Sequence, residues 1–183
     1  MILENEKCRI KIEVDRTYTV DSADNRHYDV THNPEHYRHS DMTKTLSLYI
    51  DLFTSELCIA LIGSLYTYDS DCAVLDGEIL TVLQNRAVTQ IRITDGSIIR
   101  HSCFDCFGCN FAIYKVEKGY IIYGEIEITM LGFDLIKKWS FSGKDIFASV
   151  LGKNPFELRE NSILLYDFED NRYEIDFNGN QIM

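Results

Sequence analysis

Proline is nearly absent from this chain: two occur among 183 residues, and no stretch is low-complexity. With hydrophobic residues at 45%, the composition argues against disorder and suits a packed domain. Long apolar runs are missing too. The run Leu57–Gly63 falls far short of the roughly 20 residues that a membrane-crossing helix needs. The opening Met1-Ile2-Leu3-Glu4-Asn5-Glu6-Lys7 lacks the basic start and apolar core of a secretory signal, so a cytoplasmic location is expected. Neither Gly-x-x-x-x-Gly-Lys-Ser/Thr nor Gly-x-Gly-x-x-Gly occurs, and no Gly-x-Ser-x-Gly elbow presents a nucleophilic serine.

Positive charge is scarce. Eighteen Lys and Arg against 29 acids leave a net charge of −11. Phosphate backbones and anionic membranes both recruit bases, so neither nucleic acid nor membrane is an expected partner. The same charge favours solubility and rapid encounter with a basic protein. Residues 160–183 hold six acids against one base, which predicts an acidic C-terminal face.

What the chain has in quantity is short alternating apolar runs closed by turn residues. Turn signals recur at Asp76-Gly77, Asp95-Gly96, Lys118-Gly119, Ser142-Gly143, Asp170-Asn171 and Asn178-Gly179. From Tyr120 to Met130, Ile122, Ile126, Ile128 and Met130 share one face, and Tyr123, Glu125, Glu127 and Thr129 share the other. This is the period of a strand with one dry and one wet side. Cys8–Val14 opens the fold as a strand, Leu46–Gly63 reads as a hairpin, and Leu57–Ile62 reads as a central strand buried on both faces. Further strands are expected near 79–84, 88–94, 97–101, 110–117, 120–130, 136–141, 145–151, 162–168 and 172–177. Asn154-Pro155-Phe156-Glu157 carries the cap, proline and acid of a short helical turn. The sum is one all-β domain over residues 1–183, an antiparallel meander forming a two-layer sandwich or partly closed barrel with at most a few short helices. Residues 15–45 form a polar loop with four of the five histidines and one helical turn after Pro34.

In the C-terminal third, Trp139-Ser140-Phe141-Ser142-Gly143-Lys144-Asp145-Ile146-Phe147 precedes Ile163-Leu164-Leu165-Tyr166-Asp167-Phe168 and Asn171-Arg172-Tyr173-Glu174-Ile175-Asp176-Phe177-Asn178-Gly179. This pattern resembles small uncharacterised bacterial all-β proteins with propeller-blade-like strands, some of them of toxin–immunity type. The resemblance implies fold more than function and carries over no catalytic residue. Read physically, Trp139 and Phe141 share a face, and Tyr173, Ile175 and Phe177 point to the core.

Three constellations bear on chemistry. His101-Ser102-Cys103-Phe104-Asp105-Cys106-Phe107-Gly108-Cys109 offers three thiols at spacings of three with a histidine two residues before the first, a possible zinc or iron–sulfur wrap. A strand would turn Cys103 and Cys109 away from Cys106, and the fourth cysteine and proline of the cluster motif are missing. The run therefore reads as an aromatic-rich turn with no tightly bound metal or other cofactor. Cys8, Cys58 and Cys72 read as small core residues. His32, His36 and His39, with His27 nearby, would align on a helix as a metal face, but Pro34 interrupts the run and solvated loop histidines are expected. Glu125, Glu127, Asp167, Glu169, Glu174 and Asp176 are expected on wet strand faces. There they would form a partner-binding surface or, as a pair in a cleft, the carboxylates of a glycosidase.

The favoured expectation is a non-enzymatic, acidic protein-binding domain, monomeric or a small homo-oligomer, such as a cytoplasmic immunity protein or inhibitor that neutralises a basic toxin. A metal- or redox-linked protein using Cys103, Cys106 and Cys109, and a carbohydrate-active β-protein, are the alternatives.

Overall fold

The computed structural model describes residues 1–148, 152 and 154–182. The described residues form sixteen strands and no helix. They divide into two compact units, Met1–Cys103 and Phe104–Met183, where the length alone reads as one domain. The boundary falls inside the cysteine-rich run and not at a Pro- or Gly-rich linker.

In the first unit, β1 (Ile2–Glu4), β2 (Arg9–Asp15), β3 (Val30–His32), β4 (Thr43–Asp51) and β5 (Glu56–Ser64) form a five-stranded sheet in the order β1-β2-β4-β5-β3. All pairs are antiparallel except β3 with β5. The segment 15–45, expected to be all loop, thus contributes an edge strand. The second sheet is a meander of β6 (Ala73–Asp76), β7 (Ile79–Gln84), β8 (Ala87–Arg92) and β9 (Ile98–Cys103). One core joins the two sheets: Ile10, Ile12, Leu46, Leu48, Ile50, Ile59 and Leu61 meet Leu80, Val82 and Ile91. Each such fully buried aliphatic side chain contributes about 1.5–3 kcal/mol. Ala60 and Ile62 are buried on the other face of β5, as a doubly covered central strand requires.

The second unit pairs a four-stranded meander, β10 (Asn110–Val116), β11 (Gly119–Gly124), β12 (Glu127–Gly132) and β13 (Lys137–Ser142), with a three-stranded one, β14 (Phe156–Leu158), β15 (Ser162–Tyr166) and β16 (Arg172–Asp176). Their core joins Ile121, Ile128 and Met130 to Phe147, Phe156, Ile163, Leu165, Tyr173 and Ile175, with Trp139, Phe141 and Phe177 packed at its margin. The sheets of both units keep open edges, so the architecture is sandwich-like and not a closed barrel.

Three local expectations need correction. The run 120–130 is two strands, because the chain reverses at Glu125-Ile126 and Tyr123 pairs with Ile128. Ile126 is therefore exposed in the turn, and Glu127 and Thr129 are buried. At Asn154-Pro155 no helical turn forms. Asn154 Oδ1 accepts the Phe156 amide at 3.3 Å, and β14 follows. Phe156 decides the matter by stacking on Tyr114 and Tyr123 with ring centroids 5.0 and 4.8 Å apart, a burial that a helix would forfeit. Finally, the strand expected near 145–151 does not appear over 145–148, and positions 149–151 lie outside the described residues.

Candidate functional site

The acids expected on one wet surface have different fates. Glu127 is buried on β12, where its Oε1 accepts the Phe107 amide at 3.1 Å and faces Lys137 Nζ at 3.4 Å. Lys137 also donates to the Asp105 carbonyl at 2.8 Å, so this ion pair pins the loop that carries Cys106. Asp167 is buried just beyond β15, and Glu174 and Asp176 are half-buried on β16. Glu174 accepts from Arg159 at 3.3 Å, Ser162 at 2.8 Å and Arg172 at 3.1 Å. Asp176 Oδ1 accepts the amides of Asn178 and Asn180 at 2.9 and 2.8 Å, closing the terminal turn. Glu125 is half-buried in the β11–β12 turn, and Glu169 alone of the six is exposed.

Alternation put Glu127 on the face of β12 opposite Ile128 and Met130, and that second face proves to be covered as well, with the Phe107 amide and Lys137 over the carboxylate. Asp167 was missed as a buried scaffold because a carboxylate pays for burial only with partners that sequence does not show.

Those partners surround it. Asp167 Oδ1 accepts the Asn171 amide at 2.9 Å, Oδ2 accepts the Tyr173 phenol at 2.7 Å, and Asn171 Nδ2 donates to both oxygens. Burial pushes this carboxyl up, but the hydrogen bonds from Tyr173 and Asn171 outweigh it and hold the group below the ordinary aspartate value. The result is a fastened tip between β15 and β16. Phe168 donates its amide to Ile146 O at 2.8 Å, Asp170 takes a positive φ of 68°, and Phe168, Glu169 and Asp170 are all exposed.

The cysteine-rich run splits. Cys106 and Cys109 belong to the second unit, where Asn110 Nδ2 donates to Cys106 Sγ at 3.1 Å. Cys103 belongs to the first unit. It stands two residues from His101 on β9, and a spacing of two puts both side chains on one face of a strand. Its thiol donates to Glu35 Oε1 at 3.0 Å and lies 3.8 Å from His101 Nε2. Burial pushes the Cys103 thiol up to about 11, and the Glu35 carboxylate adds to the effect. Burial also lowers His101, against the pull of Glu35. Glu35 itself sits below the ordinary glutamate value because hydrogen bonds from Cys103 and Tyr37 and the charge of Arg86 overcome burial. Sequence spacing drew attention to His101 and Cys103 but not to Glu35, which is 68 residues away.

Among the described histidines of the 15–45 segment no helix aligns the ligands. His32 on β3 bonds Gly96 O at 2.6 Å, His36 occupies a turn with φ 57°, and His39 bonds Val20 O at 3.1 Å. None of the six cysteines is joined in a disulfide. Cys8 and Cys72 are fully buried as expected, and Cys58 is half-buried. No protein-family model matches the chain, and comparison with curated proteins gives no match.

Proposed function

We propose that this chain is a non-enzymatic, acidic binding protein that works in the cytoplasm and docks on a basic protein, as an immunity factor does on the toxin it neutralises. The observation that carries this reading is the tip between β15 and β16. Phe168 is 46% exposed there, between acids and on a base fastened through Asp167. An exposed aromatic supplies apolar area to bury, the acids Glu169 and Asp170 steer a basic surface, and a pre-ordered loop loses little entropy on docking. The net charge of −11 extends that steering field over the whole molecule.

Two further observations support the reading. Six cysteines with no disulfide among them suit a reducing compartment. The thiol of Cys103, pushed up to about 11, is in the wrong protonation state for a nucleophile at neutral pH. The toxin-type partner rests on the resemblance of the C-terminal third.

The test begins with capture of partners from the native host on the full chain, followed by association kinetics with the captured basic protein. The on-rate should fall as salt rises, since the screening length is about 8 Å at physiological ionic strength. The variant Glu169→Lys should lower it further at unchanged melting temperature. An on-rate indifferent to both salt and the reversal overturns the tip as the docking surface.

A further inference from the structure

We propose that Glu35, His101 and Cys103 form a three-ligand site for a divalent transition-metal ion, Zn²⁺ in the first place, with a fourth position open to solvent. Their ligand atoms all lie within 4.8 Å of one another. A tetrahedral zinc with bonds of about 2.3 Å to sulfur and about 2.0 Å to nitrogen or oxygen separates sulfur from its neighbouring ligands by about 3.5 Å. The observed separations, 3.0 Å from Cys103 Sγ to Glu35 Oε1 and 3.8 Å from Sγ to His101 Nε2, straddle that value. Small side-chain rotations suffice to seat the ion.

The surrounding groups orient the ligands as a metal requires. Thr89 lies directly opposite His101 across β8 and β9, and its buried Oγ1 is 2.9 Å from His101 Nδ1. With Thr89 accepting the Nδ1 hydrogen, the Nε2 lone pair is left facing the site. Tyr37 donates its phenolic hydrogen to Glu35 Oε2, leaving Oε1 toward the thiol. Glu35 is in turn held by the Asn33–Tyr37 turn, where Asn33 Oδ1 accepts the Tyr37 amide at 2.9 Å and Asn33 Nδ2 donates to the Tyr37 carbonyl at 2.7 Å. Cys103 is exposed, which gives an ion a way in.

A mixed sulfur, nitrogen and oxygen set of three protein ligands is the composition of an open zinc site rather than of a closed structural one. On binding, the Cys103 S–H bond breaks, its proton passes to solvent, and the sulfur–Glu35 hydrogen bond gives way to a sulfur–metal bond. The two anionic ligands then balance the charge of the ion. The site differs from the three-cysteine wrap: it takes one thiol of that run and recruits a carboxylate from the segment 15–45. It is independent of the proposed docking tip, and its test does not involve a protein partner.

The experiment is a titration of the untagged full chain with Co²⁺, followed by displacement with Zn²⁺ in competition with a chromophoric chelator. We expect one equivalent to bind, with a sulfur-to-cobalt charge-transfer band and release of one proton in weakly buffered solution at neutral pH. Cys103→Ser should abolish both the band and the proton release. Glu35→Gln should weaken binding at least tenfold, and Thr89→Val by about 10–100-fold. Cys106→Ser and Cys109→Ser should leave the spectrum and affinity unchanged. Circular dichroism of each variant separates a lost ligand from a lost fold. Should Cys103→Ser misfold, the unfolded sample is set aside and Glu35→Gln with the proton count decides. Binding without the band, a band that survives Cys103→Ser in folded protein, or a band removed by Cys106→Ser or Cys109→Ser overturns the proposal.

Discussion

Tyr173 donates its phenolic hydrogen to Oδ2 of Asp167 across 2.7 Å, and both side chains are buried. The same Tyr173 oxygen accepts the Lys144 amide at 3.0 Å, so one phenol ties the loop after β13 to the tip after β15.

Replacing Tyr173 with Phe removes a donor to a buried carboxylate, and the expected cost is about 1.5–3 kcal/mol in urea unfolding. Acid should expose the same relationship. The folded Asp167 carboxyl titrates below its ordinary value near 3.8, so its contribution is complete above that pH and is lost as pH falls through the lower folded value. Wild-type stability should therefore drop below about pH 4 more steeply than that of Asp167→Asn, as read from urea midpoints across pH. Parallel pH curves for the two would show that Asp167 does not hold the tip.

Acids that look alike in sequence should behave differently on reversal. Glu174 contacts two arginines and Ser162, so Glu174→Lys should lower the melting temperature. Glu169→Lys should leave it within the roughly 0.5 kcal/mol scatter of ordinary surface changes. Thermal melts of the two variants side by side check this, and equal shifts would contradict the assigned geometry.

Gly119 closes the β10–β11 hairpin at φ 150°, where an added Cβ would overlap the carbonyl oxygen of Leu131. Gly119 pairs with Gly132 of β12, so the clash falls on sheet backbone that cannot step aside. Gly119→Ala should cost about 1–3 kcal/mol or more. Gly77→Ala shares a positive φ but meets no atom within 4 Å, and should cost less. A denaturant series on both variants ranks the two, and the reverse ranking would refute the clash.

Alkali should act through Tyr28. Its phenol donates to Asp15 at 2.6 Å and lies 2.7 Å from Ser47 Oγ, while the Arg26 guanidinium stacks 4.5 Å from its ring centroid. Burial, with the Asp15 hydrogen bond, pushes this phenol up to about 12 from 10.0. A raised folded value means that the contribution is intact below pH 10 and is lost as pH rises toward 12. The phenolate absorbance titration of wild type minus that of Tyr28→Phe should show one group ionising near pH 12. A difference curve centred at pH 10 would remove the network.

Much of the strand inventory was legible in the residues. Alternation placed the strands at 79–84 and 172–177 close to where β7 and β16 run, and the doubly apolar Leu57–Ile62 runs inside its sheet, between β4 and β3. Positive φ at Gly77, Gly96, Asp170 and Gly179 matches turn signals that need no tertiary context, because these residues tolerate the left-handed region by their own covalent structure. The all-β class follows from such local rules. The short β1, β6 and β14 were not legible, since three- or four-residue strands carry too little period to recognise.

The sequence by itself determined the strand-rich class, the acid excess and the two-residue spacing that puts His101 and Cys103 on one face. Tertiary structure alone decided the rest. It placed a turn inside the run 120–130, which put Ile121 and not Ile122 in the core with Ile128 and Met130, because register depends on where the chain reverses and not on the alternation itself. It made Phe156 a strand residue through ring stacking worth more than a local cap. It brought Glu35 to a thiol 68 residues away, a contact between a turn in a polar segment and a strand edge, which no local spacing encodes.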